Sequence, residues 1–267
     1  MSKTTETLEL ISYRGNCHCG AFKFIFKAPE LKEAESCNCS ICSKKGCLWV
    51  FPSSSGLVSV VQGNEDTTLK NYEFGLKTHK FCPTCGTPVM ARVHDAAEGK
   101  AIAINIRALA DVDFDSLKML TNDGAALEPL YQAPEALDVG PVPAGSVLYN
   151  SNCHCGAITY ALLNPEKISR IVECNCSICW RDAALWIHPA KTAVTFKGLE
   201  SMAEYTFGRK TTYHGFCKIC GVAIRERFTA PNREHGTALN VRAMNGIDLA
   251  AMAVKKNNGK AGLPYQV

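Results

Sequence analysis

Cys37-Asn38-Cys39-Ser40-Ile41-Cys42 returns residue for residue as Cys174-Asn175-Cys176-Ser177-Ile178-Cys179. Three thiols within six residues of one loop can converge on a single metal ion, and no fourth cysteine is adjacent. The flanking sequence repeats as well. Asn16-Cys17-His18-Cys19-Gly20-Ala21 reappears as Asn152-Cys153-His154-Cys155-Gly156-Ala157. His79-x-Phe81-Cys82-x-x-Cys85-Gly86 reappears as His214-x-Phe216-Cys217-x-x-Cys220-Gly221. Leu48-Trp49 matches Leu185-Trp186, Tyr72 and Phe74 match Tyr205 and Phe207, and Asn105-x-Arg107-Ala108 matches Asn240-x-Arg242-Ala243. The offset stays at about 135 residues and drifts only as small loop insertions make it drift, so the chain reads as an internal duplication. Pro134, Gly140, Pro141, Pro143 and Gly145 mark a linker between the copies. The expected domains are residues 1–140 and 141–267.

Within each copy the apolar period is mostly two. Ala101-Ile102-Ala103-Ile104-Asn105-Ile106-Arg107 alternates, as does Ala238-Leu239-Asn240-Val241-Arg242, and Val58-Ser59-Val60-Val61 and Ala193-Val194-Thr195-Phe196 are short runs closed by Gly63 and Gly198. Short strands separated by turn residues indicate a mainly β protein. Asp111 to Leu120 reads as a short helix or turn, and residues 1–12 as a leader or edge strand.

Each copy carries seven shared cysteines, which divide as four plus three. Cys17, Cys19, Cys82 and Cys85 form one expected four-thiolate site, and Cys153, Cys155, Cys217 and Cys220 the other. Such closed tetrahedral zinc sites are usually structural and bind with roughly 10–16 kcal/mol of apparent free energy. The remaining Cys37, Cys39 and Cys42, with Cys174, Cys176 and Cys179, form three-thiolate sites. A metal held there has either an open position for water or a substrate thiol, or a fourth protein ligand, for which His79 and His214 are the candidates. Up to two Zn2+ per domain follow, and the triplet cysteines are the candidate catalytic residues.

The other polar residues carry blander expectations. Cys47, matched by Ala184, reads as core. His18 and His154 point away from the metal into a supporting role, and Trp49 and Trp186 belong to the core. Lys44, Lys45 and Arg181 follow the triplets and read as a solvated face, with attraction of an anionic substrate as the alternative. Asn105, Arg107, Asn240 and Arg242 read as solvated strand ends that could line a site. Trp180, where the first copy has Ser43, could reshape the second pocket.

Hydrophobic residues at 46% and charged residues at 20% describe a soluble globular chain, and no apolar run is long enough to span a membrane. Met1 to Glu9 lacks a signal-peptide core. Fifteen cysteines in such a chain argue for metal sites in a reducing compartment, cytoplasmic or nuclear. The formal charge is +4. Two four-thiolate zinc sites at −2 each and two three-thiolate sites at −1 each would lower it by about 6. The basic pI therefore argues little for a nucleic-acid partner.

The ordered set Cys-His-Cys-Gly-Ala, Cys-Asn-Cys-Ser-Ile-Cys, Phe-Cys-x-x-Cys-Gly and Asn-x-Arg resembles the glutathione-dependent formaldehyde-activating family, which includes centromere protein V. The likeness spans nearly all of both copies. It implies two tandem β-tent domains of small antiparallel sheets, zinc-stabilised. It further implies a structural zinc at the C-x-C plus C-x-x-C ligands and a catalytic-type zinc at the C-x-C-x-x-C ligands. The implied activity is a carbon–sulfur lyase acting on a thiol adduct such as S-hydroxymethylglutathione, with a small-molecule thiol, glutathione, as partner. The alternative is a zinc-stabilised, non-catalytic interaction module like centromere protein V.

Overall fold

Phe24, Phe26 and Ala28 are buried on one side of a six-residue strand while Lys23, Ile25 and Lys27 stay at least partly accessible, as a period of two requires. In the computed structural model, which describes residues 9–97, 99–110, 112–114, 116–262 and 264–266, such strands dominate. In the first half they are β1 (Ile11–Asn16), β2 (Lys23–Ala28), β3 (Glu33–Cys37), β4 (Leu48–Val50), β5 (Val58–Gln62), β6 (Lys70–Phe74), β7 (Lys77–Phe81), β8 (Pro88–Val93), β9 (Ile102–Asn105) and β10 (Lys118–Asn122). The second half has β11 (Val147–Asn152), β12 (Thr159–Asn164), β13 (Arg170–Cys174), β14 (Leu185–Ile187), β15 (Val194–Lys197), β16 (Met202–Tyr205), β17 (Thr212–Cys217), β18 (Ala223–Phe228), β19 (Thr237–Asn240) and β20 (Ala253–Asn257). Among the described residues each half has one short α-helix, α1 (Ser40–Lys45) and α2 (Ser177–Asp182), besides single turns of 3-10 helix. None of the described helices is long and apolar enough to cross a membrane.

The halves share one topology. Each has a three-stranded antiparallel sheet, β1-β2-β5 or β11-β12-β15. Each also has a seven-stranded sheet, β10-β3-β4-β9-β8-β7-β6 or β20-β13-β14-β19-β18-β17-β16. The fold is mainly β, with several sheets in two similar halves as expected, and one edge pair of the larger sheet, β10 on β3 or β20 on β13, is parallel. The expected helix or turn at 111–120 is thereby corrected at its end, because Lys118–Leu120 lies in β10. Asp111 and Asp115 lie outside the described residues, as do residues 1–8 of the expected leader. Residues 130–143 form neither helix, strand nor turn.

Alternation in β9 does not translate into one wet face. Ile102, Ala103, Ile104 and Asn105 are all buried, because β9 lies between β4 and β8 near the middle of the sheet and both faces are covered. Trp49, Phe81, Ile104 and Ile106 are among the fully buried side chains. One core cluster crosses between halves, joining Ile41, Cys42 and Trp49 to Tyr160, Leu162 and Val222.

The crossing has pseudo-twofold character. Arg107 donates from Nε to the carbonyl of Gly46 at 3.0 Å and from Nη1 to that of Trp180 at 3.3 Å. Arg242, its counterpart, donates to the carbonyls of Ala183 at 2.7 Å and Ser43 at 3.5 Å. Each arginine thus ties the helix of its own half to the helix of the other. Asn105 and Asn240 are fully buried and accept the backbone N–H of the following arginine. The two arginines bind the halves together, the two asparagines brace the arginines within each half, and none of the four is a solvated strand end.

Candidate metal centres

The C-x-C turn follows β1 and the C-x-x-C turn joins β7 to β8. The first is closed by Gly20 N–H donating to the Cys17 carbonyl, the second by Gly86 N–H donating to the Cys82 carbonyl, each at 2.9 Å. The turns bring Cys17, Cys19, Cys82 and Cys85 together, and the equivalent turns gather Cys153, Cys155, Cys217 and Cys220; in each set all sulfurs lie within 4.8 Å of one another. Measured sulfur–sulfur separations include 3.7 Å for Cys17–Cys19 and 3.6 Å for both Cys19–Cys82 and Cys155–Cys217. The edge of a zinc–sulfur tetrahedron is about 3.8 Å, from bonds of about 2.3 Å. The donor sets therefore fit a tetrahedral thiophilic ion. Backbone N–H groups of Phe22 and Ile158 point at Cys17 and Cys153 sulfurs at 3.3 and 3.2 Å, as a thiolate acceptor requires.

The triplet sulfurs also converge, Cys37 with Cys39 and Cys42 and Cys174 with Cys176 and Cys179, again within 4.8 Å. The first thiol ends β3 or β13, the second is the N-cap of α1 or α2, and the third lies on the helix. Among the described residues no histidine or carboxylate completes either group at that distance. His79 and His214, the candidate fourth ligands, are outside it. Hydrogen bonds from Cys39 and Cys42, or from Cys176 and Cys179, hold the first thiol of each triplet far below its usual range, at about 2. Those same sharings push Cys42 and Cys179 well above theirs.

Several residues around the triplets escaped the sequence reading. Trp49 and Trp186 are core, but each indole N–H also donates to the third thiol, Cys42 or Cys179, at 3.3 Å. Asn122 and Asn257, at the ends of β10 and β20, donate to Cys37 and Cys174 at 3.6 and 3.4 Å. Gly124 and Gly259 lie so close that an added Cβ would stand 2.5 Å from the Cys37 sulfur or 2.6 Å from that of Cys174. Asn122-Asp123-Gly124 and Asn257-Asn258-Gly259 recur at the repeat offset, and that was the signal available.

The histidines of the C-x-C turns face the opposite half. His18 is hydrogen-bonded to Tyr205 at 3.0 Å and Ser177 at 2.9 Å, and His154 to Tyr72 at 2.7 Å and Ser40 at 2.9 Å. Tyr265 and Tyr131 lie against these rings, with centroids 4.4 and 4.5 Å away. Burial holds His18 at about 3 and His154 at about 4, so both are neutral at physiological pH. Cys47 is buried and outside every thiol group, as expected.

The solvated-face reading of Lys44, Lys45 and Arg181 is overturned, since all three are buried where the halves meet. Lys44 donates to the carbonyls of Asn152 and Ala243 and to Asn245 Oδ1 at 3.0–3.1 Å. Arg181 reaches the carbonyl and side chain of Asn16 at 3.3 Å. Lys45 Nζ has no hydrogen-bond partner and lies 4.8 Å from the centre of the Phe81 ring, with Cys217 and Cys220 among the thiols acting on it. A metal-filled four-thiolate site carries about −2, which is the countercharge this ammonium lacks.

The two triplets have different neighbours. Beside the second lie His214 and Glu226, with Nδ1 and Oε1 3.3 Å apart, and Cys179 donates to the same oxygen at 3.7 Å. Burial raises Glu226 to about 7 and lowers His214 to about 4. Beside the first, Ala91 takes the glutamate's place, and His79 is buried with both ring nitrogens unpartnered. A cleft of about 1630 Å3, lined by both halves, leads to Cys174, Cys176 and Cys179. Trp180 forms part of its wall, and Lys23, Arg209, Lys210 and Lys260 give it a basic lining.

The glutathione-dependent formaldehyde-activating enzyme family matches this chain over residues 12–120 and 148–253. A crystal structure of a Rhodobacter sphaeroides protein is also similar. It is 24% identical, covers 40% of this chain and 99% of its own, and superposes with a TM-score of 0.37. The family match takes in the greater part of both halves, including all fourteen cysteines of the four thiol groups. On that extent, this chain belongs to the glutathione-dependent formaldehyde-activating enzyme family.

Proposed function

We propose that this protein is a zinc-dependent carbon–sulfur lyase-type enzyme acting on a thiol adduct such as S-hydroxymethylglutathione, in a reducing compartment such as the cytosol or nucleus. The observation that carries the reading is a three-thiol group, formed twice, with no fourth ligand atom within 4.8 Å of all three sulfurs among the described residues. The four-thiol groups are the structural zinc sites. Zinc held by a triplet supplies Lewis acidity, which lowers the pKa of an incoming thiol and favours negative charge developing on oxygen.

The chain's own groups account for the rest. Trp49 and Asn122, or Trp186 and Asn257, donate hydrogen bonds that fix the direction of the triplet sulfurs and would stabilise negative charge on them when a metal is held. Lys210, Arg209 and Lys260 draw the carboxylates of a thiol peptide into the cleft. Tyr205, Phe207 and Trp180 cover its apolar part. In the synthetic direction the substrate thiol gives up its proton and its sulfur forms the C–S bond to the aldehyde carbon. The C=O π electrons move to oxygen, which takes up that proton. The lyase direction reverses each step.

The test is metal-counted protein assayed by NMR for exchange between glutathione, formaldehyde and their adduct. About four zinc ions per chain are expected, from two groups in each half. Cys39→Ser and Cys176→Ser should each lose one zinc and the exchange catalysed by that half, with the fold retained. An exchange rate unchanged by both substitutions together would reject the enzymatic reading and favour an interaction module.

A further inference from the structure

The strand register makes the two triplets chemically unequal. His214 pairs with Glu226 across β17 and β18, and His79 pairs with Ala91 across β7 and β8. These are corresponding positions in the two halves. Glu226 is buried, and its Oε1 stands 3.7 Å from Cys179 Sγ. Two ligands of one tetrahedral zinc, a thiolate at about 2.3 Å and a carboxylate oxygen at about 2.0–2.2 Å, are about 3.6 Å apart. The carboxylate therefore already lies one ligand edge from Cys179. It is not within 4.8 Å of all three sulfurs. To ligate, it has to move from its place beside Cys179 towards Cys174 and Cys176.

A buried carboxylate next to three thiolates is costly without a cation, since burial and like charge both oppose it. A shared metal ion removes both penalties. His214 Nδ1, 3.3 Å from the same oxygen, gives the carboxylate a second resting place. We propose that Glu226 is a displaceable fourth ligand of the metal at Cys174, Cys176 and Cys179. It fills the open position when no thiol is bound and retires onto His214 when a softer substrate thiolate takes that position. The first triplet, with Ala91 at this point, has no carboxylate there among the described residues and leaves its fourth position to solvent or substrate. Glu226 thus guards the second zinc against loss between turnovers. The first zinc is the labile one. Displacement by substrate rests on the thiol chemistry proposed above, whereas ligation by Glu226 does not.

The experiment follows zinc release from the full-length, metal-loaded protein into excess 4-(2-pyridylazo)resorcinol. In the wild type the zinc of the first triplet should leave before that of the second. Glu226→Ala and the near-isosteric Glu226→Gln should each speed release of one zinc by about 10–100-fold, the usual consequence of losing a supporting group at a metal site. The other three should be unaffected. Ala91→Glu should slow the first triplet's zinc, and this variant leaves the second half native. Release unaltered by either Glu226 substitution overturns the proposal. If neither Glu226 variant folds, failure of Ala91→Glu to slow release overturns it instead. A second readout separates this proposal from the functional one. In Co2+-loaded Cys39→Ser protein, glutathione should strengthen the sulfur-to-cobalt charge-transfer absorption as it replaces the carboxylate. Release that depends on Glu226 without this optical response keeps the ligand and rejects the thiol substrate.

Discussion

Two glycines hold the triplet loops in place by what they lack. Gly124 and Gly259 pass directly over the first and second thiols of their triplets. A Cβ at Gly124 would lie 2.5 Å from the Cys37 sulfur and 3.1 Å from Cys39 Cβ, and one at Gly259 would lie 2.6 and 2.7 Å from the matching atoms. Both sulfurs belong to a ligand set whose geometry tolerates shifts of only about 0.2 Å. Gly124→Ala should therefore displace Cys37 and empty the first triplet, lowering zinc content from about four ions to three while the four-thiol sites keep theirs. Inductively coupled plasma analysis of the purified variant checks this, and Gly259→Ala should empty the second triplet in the same way. Retention of all four zinc ions by both variants would show that the loops yield. The cysteines were legible in the sequence because few residue types ligate a thiophilic metal and their spacing repeats. Asn122 and Gly124 were not, although Asn-x-Gly also repeats. They reach Cys37 only through the parallel pairing of β10 with β3, a contact between segments some 85 residues apart, which local periodicity does not encode.

The helices α1 and α2 meet end to end at the pseudo-twofold axis, and there the halves had to differ. Both end in the left-handed conformation, Gly46 at φ +58° and Ala183 at φ +49°. Glycine adopts this freely, and alanine at a cost of roughly 1–2 kcal/mol. A Cβ on Gly46 would stand 2.4 Å from the Cβ of Ala183, so the axis has room for one methyl group. Gly46→Ala should combine backbone strain with this overlap and destabilise the protein by about 2–4 kcal/mol. The reciprocal double variant, Gly46→Ala with Ala183→Gly, restores a single methyl and should recover most of that loss, which paired thermal melts would measure. Failed recovery would mean that residue 46 cannot take a Cβ even with the axis cleared; Ala183→Gly alone measures the strain that is relieved at residue 183. The same junction explains why Lys44, Lys45 and Arg181 were misread. Charged residues after a short helix ordinarily face water. Here a second copy of the fold covers them, and no pattern within one copy announces that.

Across the whole molecule, each half completes the other. His18 finds its hydrogen-bond partners on Tyr205 and Ser177, and His154 on Tyr72 and Ser40. The first half's C-terminal Tyr131 donates room and ring to His154 and accepts from Asn152 at 2.6 Å, while Tyr265 serves His18 and Asn16 in the same manner. The duplication was plain in the sequence, but whether the copies touch was not, because the contacts run between residues 21 to 249 positions apart and follow no local period. The interface is also built for unlike partners. Lys45 and Asp182 occupy equivalent positions in the two halves and both are buried; burial, with Cys85 nearby, pushes the Asp182 carboxyl well above its usual range, and the charges of Arg181 and Lys45 oppose that shift. Pairing two first halves would set Lys45 against Lys45 and would replace Asn245, which receives Lys44, by its counterpart Ala110. Pairing two second halves would set Asp182 against Asp182. Burying two ammonium groups against each other without a partner costs several kcal/mol, and a pair of second halves would lose the pull of Lys45 on Asp182, so each half should favour the other over its own copy. Residues 1–140 and 141–267, expressed separately and mixed, should form a 1:1 complex by light scattering, with a higher thermal midpoint than either alone. Neither should form a tight homodimer at the same concentration. Stable monomeric halves that melt like the intact chain would show that the contacts between halves contribute no stability. Lys45→Asp should then distinguish charge from shape: it should abolish the complex with the native second half, and Asp182→Lys in that half should restore it.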